Sequence, residues 1–202
     1  LAYEKGDLFT LRIATGCLGN CSYCAVKFAV GRLESKPLDT IVSEFKSGLD
    51  QGFEHFVLIA GDVGCYGVDI GNSVVDLLTA LFAIEGSYKI IIKEFNAQWI
   101  VKYFDDLLDL FKQHYSKIDY IVVPVQSASN RMLRLMKRPY TIEDVKTYLN
   151  IIKTEVPGLQ ISTHIMVGFP GETEKDFKES IDFIREYEFP FVDIYAYDDR
   201  PN

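Results

Sequence analysis

Short apolar runs alternate along this chain with longer segments of helical periodicity. Six runs of four to eight residues are rich in apolar and β-branched side chains, which is typical of strands. They cover residues 11–14, 55–60, 89–93, 119–125, 160–167 and 191–197. Helical spacing of apolar residues follows Pro37 and recurs over residues 74–82, 100–115, 130–136, 142–155 and 173–187. Strands that alternate with helices predict an α/β fold with a parallel sheet and right-handed crossovers.

Two architectures fit this alternation, an open doubly wound sheet and part of a β/α barrel. Periodicity does not choose between them, but both place ligands at the carboxyl ends of the strands. Glycine-containing and polar segments follow most of the predicted strands. They include Gly61-Asp62, Asn96, Gln126-Ser127 and the Gly-Phe-Pro-Gly sequence at 168–171.

Three of the four cysteines follow the first predicted strand. Cys17, Cys21 and Cys24 have the spacing C-x3-C-x2-C, with Tyr23 just before the third. Glycines at 16, 19 and 31 predict that this segment is a loop and not a helix. Three thiolates are one fewer than the ligands of a closed tetrahedral zinc site. An iron–sulfur cluster held by three cysteines leaves one iron open to a ligand from outside the protein.

A zinc site is the alternative interpretation of these cysteines. Cys65 or one of the three histidines would then supply the fourth ligand. Zinc ribbons usually pair two C-x2-C units, and Cys21 and Cys24 form the only such pair here. A three-ligand catalytic zinc normally includes histidine, which the loop lacks. These features disfavour zinc, and a non-enzymatic zinc-binding module is kept as the alternative class of function.

Composition and charge narrow the range of partners. The chain has 202 residues, 48% hydrophobic and 25% charged, which fits one globular domain with its own core. No run reaches the roughly 20 apolar residues of a membrane helix, and clustered cysteines favour a reducing, cytoplasmic compartment. The formal charge is −8, whereas nucleic-acid-binding proteins are usually basic. We expect this chain alone to bind RNA weakly or not at all.

The cysteine loop resembles that of the radical S-adenosylmethionine (radical SAM) superfamily. The resemblance implies a partial (β/α)6 barrel in which Cys17, Cys21 and Cys24 each bind one iron of a 4Fe–4S cluster. SAM would bind the fourth iron and be cleaved reductively to methionine and a 5′-deoxyadenosyl radical. The resemblance also places Tyr23 under the adenine of SAM.

Other strand ends resemble the SAM-binding motifs of that superfamily. Gly61-Asp62 takes the place of a Gly-Gly-Glu type segment that holds the SAM ammonium group, although Asp62 could instead cap a helix. The segment 164–172 resembles the motif of the fifth strand, where His164 is either a core residue or a substrate contact. Asn96 lies on the same rim or only caps the following helix. The expected SAM-binding residues are Tyr23, Ala60, Gly61, Asp62, Asn96, Gln126, Ser127, Arg138, Val167 and Gly168.

Four positive charges fall within eight residues after the fourth strand. One of them is expected to pair with the SAM carboxylate or a substrate phosphate, and the alternative is a solvated helix face. They are Arg131, Arg134, Lys137 and Arg138. Cys65 is expected to be a structural or free thiol and not a ligand.

Longer strings narrow the resemblance to the methylthiotransferases. Those enzymes insert a methylthio group into tRNA adenosine-37 derivatives or into a ribosomal-protein aspartate. The similar segments are 31–37, 62–64, 66–67, 124–127, 131–138, 140–141, 168–173 and 200–201. The Cys-Leu-Gly-Asn-Cys sequence most resembles the branch that acts on N6-threonylcarbamoyladenosine. The resemblance implies tRNA as substrate and a flavodoxin or ferredoxin as electron donor, and radical SAM chemistry on a peptide or small molecule is the alternative.

The chain also departs from the methylthiotransferase pattern. Those enzymes carry a preceding domain with three further cysteines for a second cluster, and a basic β-barrel that follows the radical domain. We expect residues 1–202 to be the radical SAM core of a longer protein, unable by itself to complete the transfer. Ala128 stands where the family usually has glycine, and Val30 where it often has arginine.

Overall fold

A six-stranded parallel sheet forms the centre of the computed structural model, which describes residues 7–199. Its strands lie in the order β1-β4-β5-β6-β7-β8, and each pairs in parallel with its neighbours. A short antiparallel pair, β2 and β3, lies apart from this sheet. The strands are β1 Leu8–Arg12, β2 Ala14–Thr15, β3 Glu34–Ser35, β4 His55–Ile59, β5 Lys89–Ile92, β6 Ile118–Gln126, β7 Ile161–Val167 and β8 Val192–Ala196.

Helices connect successive strands of the sheet. They are α1 Val26–Val30, α2 Leu38–Asp50, α3 Val74–Phe82, α4 Ala97–Lys102, α5 Phe104–His114, α6 Asn130–Leu135, α7 Ile142–Glu155 and α8 Glu174–Tyr187, with 3₁₀ turns at Val63–Cys65 and Tyr115–Lys117. Thr173 and Asp176 form the predicted capping box at the start of α8. Among the described residues no helix is long and apolar enough to cross a bilayer.

The hydrophobic core lies between the sheet and its helices. Alternate strand residues such as Leu58, Ile92 and Val123 are almost completely buried in one cluster with helix residues such as Phe45 and Phe111. Successive side chains of a strand point to opposite faces, so the intervening residues form the other face of the sheet.

Strand order decides between the two predicted architectures. A doubly wound sheet reverses its strand order at a switch point, whereas here the order follows the chain from β1 to β8. Within residues 7–199 the edge strands β1 and β8 do not pair with each other, so the barrel is open. The partial (β/α)6 barrel is therefore confirmed.

Three local predictions were wrong in detail. The first strand begins and ends earlier, at Leu8–Arg12, because residues 14–15 turn away to pair with β3. The predicted helix 100–115 is two helices that meet at Tyr103, whose backbone (φ −114°, ψ 30°) is not helical. The cysteine loop includes the short helix Val26–Val30, since its glycines lie outside that segment.

A buried carboxylate joins α6 to α8. Asp176 accepts hydrogen bonds from the Ser129 hydroxyl (2.5 Å) and from the Thr173 backbone N–H (2.9 Å), and forms an ion pair with Arg131. The Arg131 guanidinium holds the pKa of Asp176 well below its usual range. Desolvation opposes this shift, and the hydrogen bonds from Ser129 and Thr173 add to it. This network fixes the segment that follows β6 against the segment that follows β7.

We expect Asp176→Asn to lower the free energy of unfolding by about 1 to 3 kcal/mol at pH 7, because buried donors lose a charged acceptor. A depressed folded-state pKa stabilises the fold above the unfolded value of about 3.9, and that contribution is lost as pH falls through the folded pKa. The difference between variant and wild type should therefore shrink below about pH 4. Urea unfolding at several pH values measures it.

Asp182→Asn is the matched control on the same helix. Asp182 forms an exposed i, i+4 pair with Lys178, and such pairs contribute about 0.5 kcal/mol or less. An Asp176→Asn variant as stable as this control at pH 7 would contradict the role given to the network.

Candidate metal centre

Two close backbone approaches hold the cysteine loop on the sheet. Gly16 has φ +70°, and a Cβ there would lie 1.9 Å from the carbonyl oxygen of Arg32. A Cβ on Gly61, at the end of β4, would lie 2.5 Å from the carbonyl oxygen of Gly16. Any side chain at either position would move the loop, so glycine at both positions brings the first cysteine against the strand ends.

Ser22 fastens the far side of the loop to the end of α6. Its N–H donates to the Met136 carbonyl (3.2 Å) and its hydroxyl donates to the Leu135 carbonyl (2.8 Å). The N–H of Cys24 donates to the Cys21 carbonyl (3.3 Å), which closes a turn between the last two cysteines. Sequence patterns gave no sign of this serine's role.

Cys17 lies in a polar environment. The Gly19 N–H donates to its Sγ at 3.1 Å. The neighbouring Cys65 thiol and the Gly19 N–H, opposed by burial, lower the pKa of Cys17 to about 7. A lower pKa favours the thiolate, which is the form that binds metal.

The donor set fits an iron–sulfur cluster. The sulfurs of Cys17 and Cys21 both border Gly19, since a Cβ on that residue would lie 3.2 and 3.7 Å from them. Cys21, Tyr23 and Cys24 line a cavity of about 200 Å³ beside the loop. Three soft thiols from one anchored loop, one with a backbone N–H donor, suit iron and sulfide.

A compact zinc site does not form from the same cysteines. Over residues 7–199, the one group of three candidate ligands with atoms within 4.8 Å of one another is Cys17, Asp62 and Cys65. Cys21 and Cys24 are not in it. Ligands of a single zinc ion must converge on a point, whereas those of a 4Fe–4S cluster bind separate irons and lie farther apart. The arrangement favours the cluster.

Asp62 caps a helical turn, which is the predicted alternative to SAM binding. It begins the 3₁₀ turn Val63–Cys65, and its carboxylate accepts from the N–H groups of Gly64 (3.0 Å) and Asn96 (3.3 Å) and from Trp99 Nε1 (2.8 Å). Burial raises the pKa of Asp62, against those three hydrogen bonds. Its contact with SAM stays a prediction.

Asn96 and Trp99 complete this group. Asn96 is buried and caps α4 by accepting from the Gln98 N–H at 3.3 Å. Trp99 is the chain's one tryptophan, and its indole is buried against Asp62. No sequence motif indicates Trp99, and the rarity of the residue is the one signal that could have found it.

Gln126 and Ser127 differ in whether a polar side-chain atom is left to bind a ligand. Gln126, at the end of β6, is buried with φ +74°, and its Oε1 has no hydrogen-bond partner within the described residues. Ser127 is fully buried, lies 3.3 Å from the Ser180 hydroxyl and accepts from the Ser129 N–H. Gln126 therefore has a free acceptor for a ligand, and Ser127 belongs to an internal network.

Arg138 is buried beneath the cysteine loop. It donates through Nη2 to the Pro124 carbonyl (2.9 Å), and its guanidinium lies 5.9 Å from the ring of Tyr23. Its Nε is buried and has no partner among residues 7–199. Tyr23 also meets Phe169 edge to face, at 6.4 Å between ring centroids. The cation, the aromatic ring and the Cys21–Cys24 turn thus lie together, and their contact with SAM stays a prediction.

The other predicted residues lie at the ends of β4 and β7. The Val167 carbonyl accepts from the Tyr197 N–H (2.8 Å), and the Gly168 N–H donates to Glu172 Oε2 (2.5 Å). A Cβ on Gly168 would meet only open space. Ala60 and Gly61 line a separate cavity of about 270 Å³ with Gly16.

His164 lies near two carboxylates on the face of the sheet opposite the helices, called the open face below. Its Nε2 lies 3.2 Å from Asp193 Oδ2, and its Nδ1 lies 3.7 Å from Glu94 Oε1. The imidazole is 8% exposed, while both carboxylates are about half exposed. Glu94 has φ +53° at the end of β5 and was not predicted from the sequence.

The basic residues after β6 take different roles. Arg131 pairs with Asp176 and donates to the Gly171 carbonyl (2.6 Å), and Lys137 lines the cavity beside Cys21.

The segment 200–201, which resembles the methylthiotransferases in sequence, lies outside the described residues.

Known proteins resemble this chain in sequence and in fold. The family model described as "Radical SAM superfamily" matches residues 11–184. A "Probable threonylcarbamoyladenosine tRNA methylthiotransferase" of Pyrococcus horikoshii is 37% identical over 193 residues, which are 96% of this chain and 45% of that protein. The human "Threonylcarbamoyladenosine tRNA methylthiotransferase" is 36% identical over 95% of this chain and 33% of its own length.

Among solved structures, the radical S-adenosylmethionine methyltransferase TsrM of Kitasatospora setae, with cobalamin and a [4Fe-4S] cluster bound, aligns with a TM-score of 0.76. It is 16% identical and the alignment covers 94% of this chain and 36% of that one, so it supports the fold alone. The chain belongs to the radical SAM superfamily, whose enzymes use a 4Fe–4S cluster and SAM. Within it, the chain is similar to methylthiotransferases and spans about half the length or less of the curated relatives described above.

We expect Gly61→Ala to reduce iron and sulfide bound after anaerobic reconstitution at least severalfold, because the methyl group would displace Gly16 and Cys17. Overpacking of this kind costs about 1 to 3 kcal/mol. Metal analysis and urea unfolding measure the two effects.

Gly52→Ala is the control for the loss of a glycine. Gly52 has φ +87° but open space around its Cβ position, far along the chain from the loop. It should cost stability and leave iron binding intact. Full iron content in Gly61→Ala would show that the loop does not depend on this approach.

Proposed function

We propose that this chain is the radical SAM core of a methylthiotransferase that modifies a tRNA adenosine-37 derivative. The observation that carries the proposal is the 37% identity, over 96% of the chain, to a protein named as a threonylcarbamoyladenosine tRNA methylthiotransferase. The matched length includes the cysteine loop and the strand ends that surround it.

Cys17, Cys21 and Cys24 would hold the cluster. When bound, the cluster and SAM supply an electron and a 5′-deoxyadenosyl radical. The protein's own part is to fix the loop through Gly16, Gly61 and Ser22 and to present cofactor contacts around it.

The buried groups that lack partners suit the polar parts of SAM. Gln126 Oε1 can accept a hydrogen bond from a ribose hydroxyl or an ammonium group, and Arg138 Nε can donate to a carboxylate. Burial without a partner costs free energy, which a ligand bound at that atom would recover. Tyr23 offers a ring face beside Arg138 for an adenine.

The chain would act within a longer protein, as the curated relatives are longer than the region matched. A preceding domain with a second cluster would supply sulfur, and a following basic barrel would bind tRNA. Such a division agrees with the net charge of −8, which disfavours tight RNA binding by this part. The cytoplasm, with a flavodoxin or ferredoxin as electron donor, is the proposed setting.

The acidic face at His164 favours a second candidate substrate. Glu94 and Asp193 are half exposed on the open face, where a substrate of a radical SAM barrel would enter. Carboxylates there repel phosphates and suit amines or N–H groups. A peptide or small molecule with such groups is therefore the alternative substrate.

We expect Cys21→Ala to abolish reductive SAM cleavage by the reconstituted protein, because one iron would lose its ligand. Formation of 5′-deoxyadenosine, followed by chromatography under a strong reductant, is the measurement. Cys65→Ala is the matched control and should retain wild-type iron content. Cleavage at the wild-type rate in Cys21→Ala would refute the cluster assignment.

We expect Gln126→Ala to weaken SAM binding to the reconstituted protein roughly five- to tenfold, the equivalent of one lost hydrogen bond of about 1 to 1.4 kcal/mol. Equilibrium binding of labelled SAM measures it. Gln160→Ala, an exposed glutamine just before β7, should bind SAM like the wild type. Equal affinity in the two variants would remove Gln126 from the site.

The substrate is tested with the full-length protein that contains this chain. Mass spectrometry of tRNA incubated with that protein, SAM and a reductant should show a methylthio group on adenosine-37. SAM cleavage that leaves tRNA unmodified, together with modification of a peptide or small molecule, would favour the second candidate.

A further inference from the structure

Arg12 lies on the open face of the sheet, at the end of β1. Its neighbours Leu11 and Ile13 are buried in the core on the opposite face, and successive strand residues alternate between the two faces. Arg12 is exposed, and within residues 7–199 its guanidinium forms neither an ion pair nor a hydrogen bond. The chain has 29 acidic and 21 basic residues, so an arginine without an acidic partner is notable.

Arg12 borders a cavity of about 270 Å³ at the ends of β1 and β4. Its walls include the apolar side chains of Ala14, Ile59 and Ala60, and no acidic residue lines it. The other polar side chain of the lining is Thr15, whose hydroxyl has no hydrogen bond to any described residue. A mainly apolar cavity with a few available polar groups is typical of a ligand site.

The acidic residues of this region have other positions or partners. Glu34 pairs with Thr15 across β2 and β3, but it does not line the cavity and forms no ion pair with Arg12 among the described residues. On the open face, Glu94 and Asp193 contact His164. The Arg12 guanidinium is therefore available to an anion from outside the chain, and its planar fork matches a carboxylate.

The cavity also borders the start of the cysteine loop. Gly16 and Gly61 both line it, and a Cβ on Gly61 would lie 3.4 Å from the Cβ of Cys17. Glu94 follows β5, which is two strands from β1 and thus about 10 Å away at the backbone. The open face therefore has a cation at the β1 side and carboxylates towards β8, on either side of the space beside the proposed cluster.

We propose that Arg12 and Thr15 form a subsite for a carboxylate of the substrate, which selects an adenosine whose N6 substituent ends in a carboxylate. The inference rests on the proposed function and names the substrate class for that site. A threonylcarbamoyl group has this carboxylate, and its N–H groups suit the acceptors Glu94 and Asp193. Ionised hydrogen bonds of this kind are about twice as strong as neutral ones.

The test is the binding of two anticodon stem–loop RNAs to the full-length protein that contains this chain. The RNAs differ only in that the threonylcarbamoyl group of one ends in a carboxylate and that of the other in a neutral carboxamide. The wild type should bind the carboxylate RNA at least about tenfold more tightly. Arg12→Gln should lose this preference, because the double comparison isolates the contact between the two groups. Arg12→Lys and Thr15→Val should each retain part of it.

Arg185→Gln is the matched control, since Arg185 is an exposed arginine in the last turn of α8. It should keep the full preference. An unchanged preference in Arg12→Gln would overturn the inference, as would equal binding of the two RNAs by the wild type. An equal loss with both RNAs would show a contact with phosphate instead, and weaker SAM binding alone would show a contact with the cofactor; either result overturns it. A wild-type protein that methylthiolates no tRNA would instead refute the proposed function.

Discussion

The close approach of Gly16 to Gly61 and Arg32 is the contact on which the rest of the site depends. It requires the chain leaving β1 to lie directly on the end of β4, which only residues without a Cβ permit. From Gly16 the chain runs on to Cys17, and from Arg32 it runs on to β3. The metal centre is therefore placed by backbone packing and not by the cysteines themselves.

Hydrogen bonds of buried polar groups fix the segments around this contact. Asp62 orders the turn after β4 by accepting from two backbone N–H groups and from Trp99, while Arg138 donates to the Pro124 carbonyl on β6. Both are expensive to bury without partners. Among residues 7–199 only a few buried side-chain atoms lack a hydrogen-bond partner, and Gln126 Oε1 and Arg138 Nε are two that a ligand can use.

Much of this could be predicted from the sequence. Periodicity identified the strands because each alternates with a helix of different period, and the cysteine spacing identified the loop. The break at Tyr103 could not be predicted, since the helical spacing of apolar residues continues through it. The same holds for the hydrogen bond from Trp99 to Asp62 and for the position of the Cys65 sulfur within 4.8 Å of the Cys17 sulfur. A pattern of residues does not reveal which donors already have acceptors.

The most direct test of the account is electron paramagnetic resonance of the reduced, reconstituted protein before and after addition of SAM. A three-cysteine 4Fe–4S cluster with an open iron predicts a signal whose shape changes when SAM binds to that iron. A cluster signal that SAM leaves unchanged, or a protein that takes up zinc and no iron and sulfide, would contradict it.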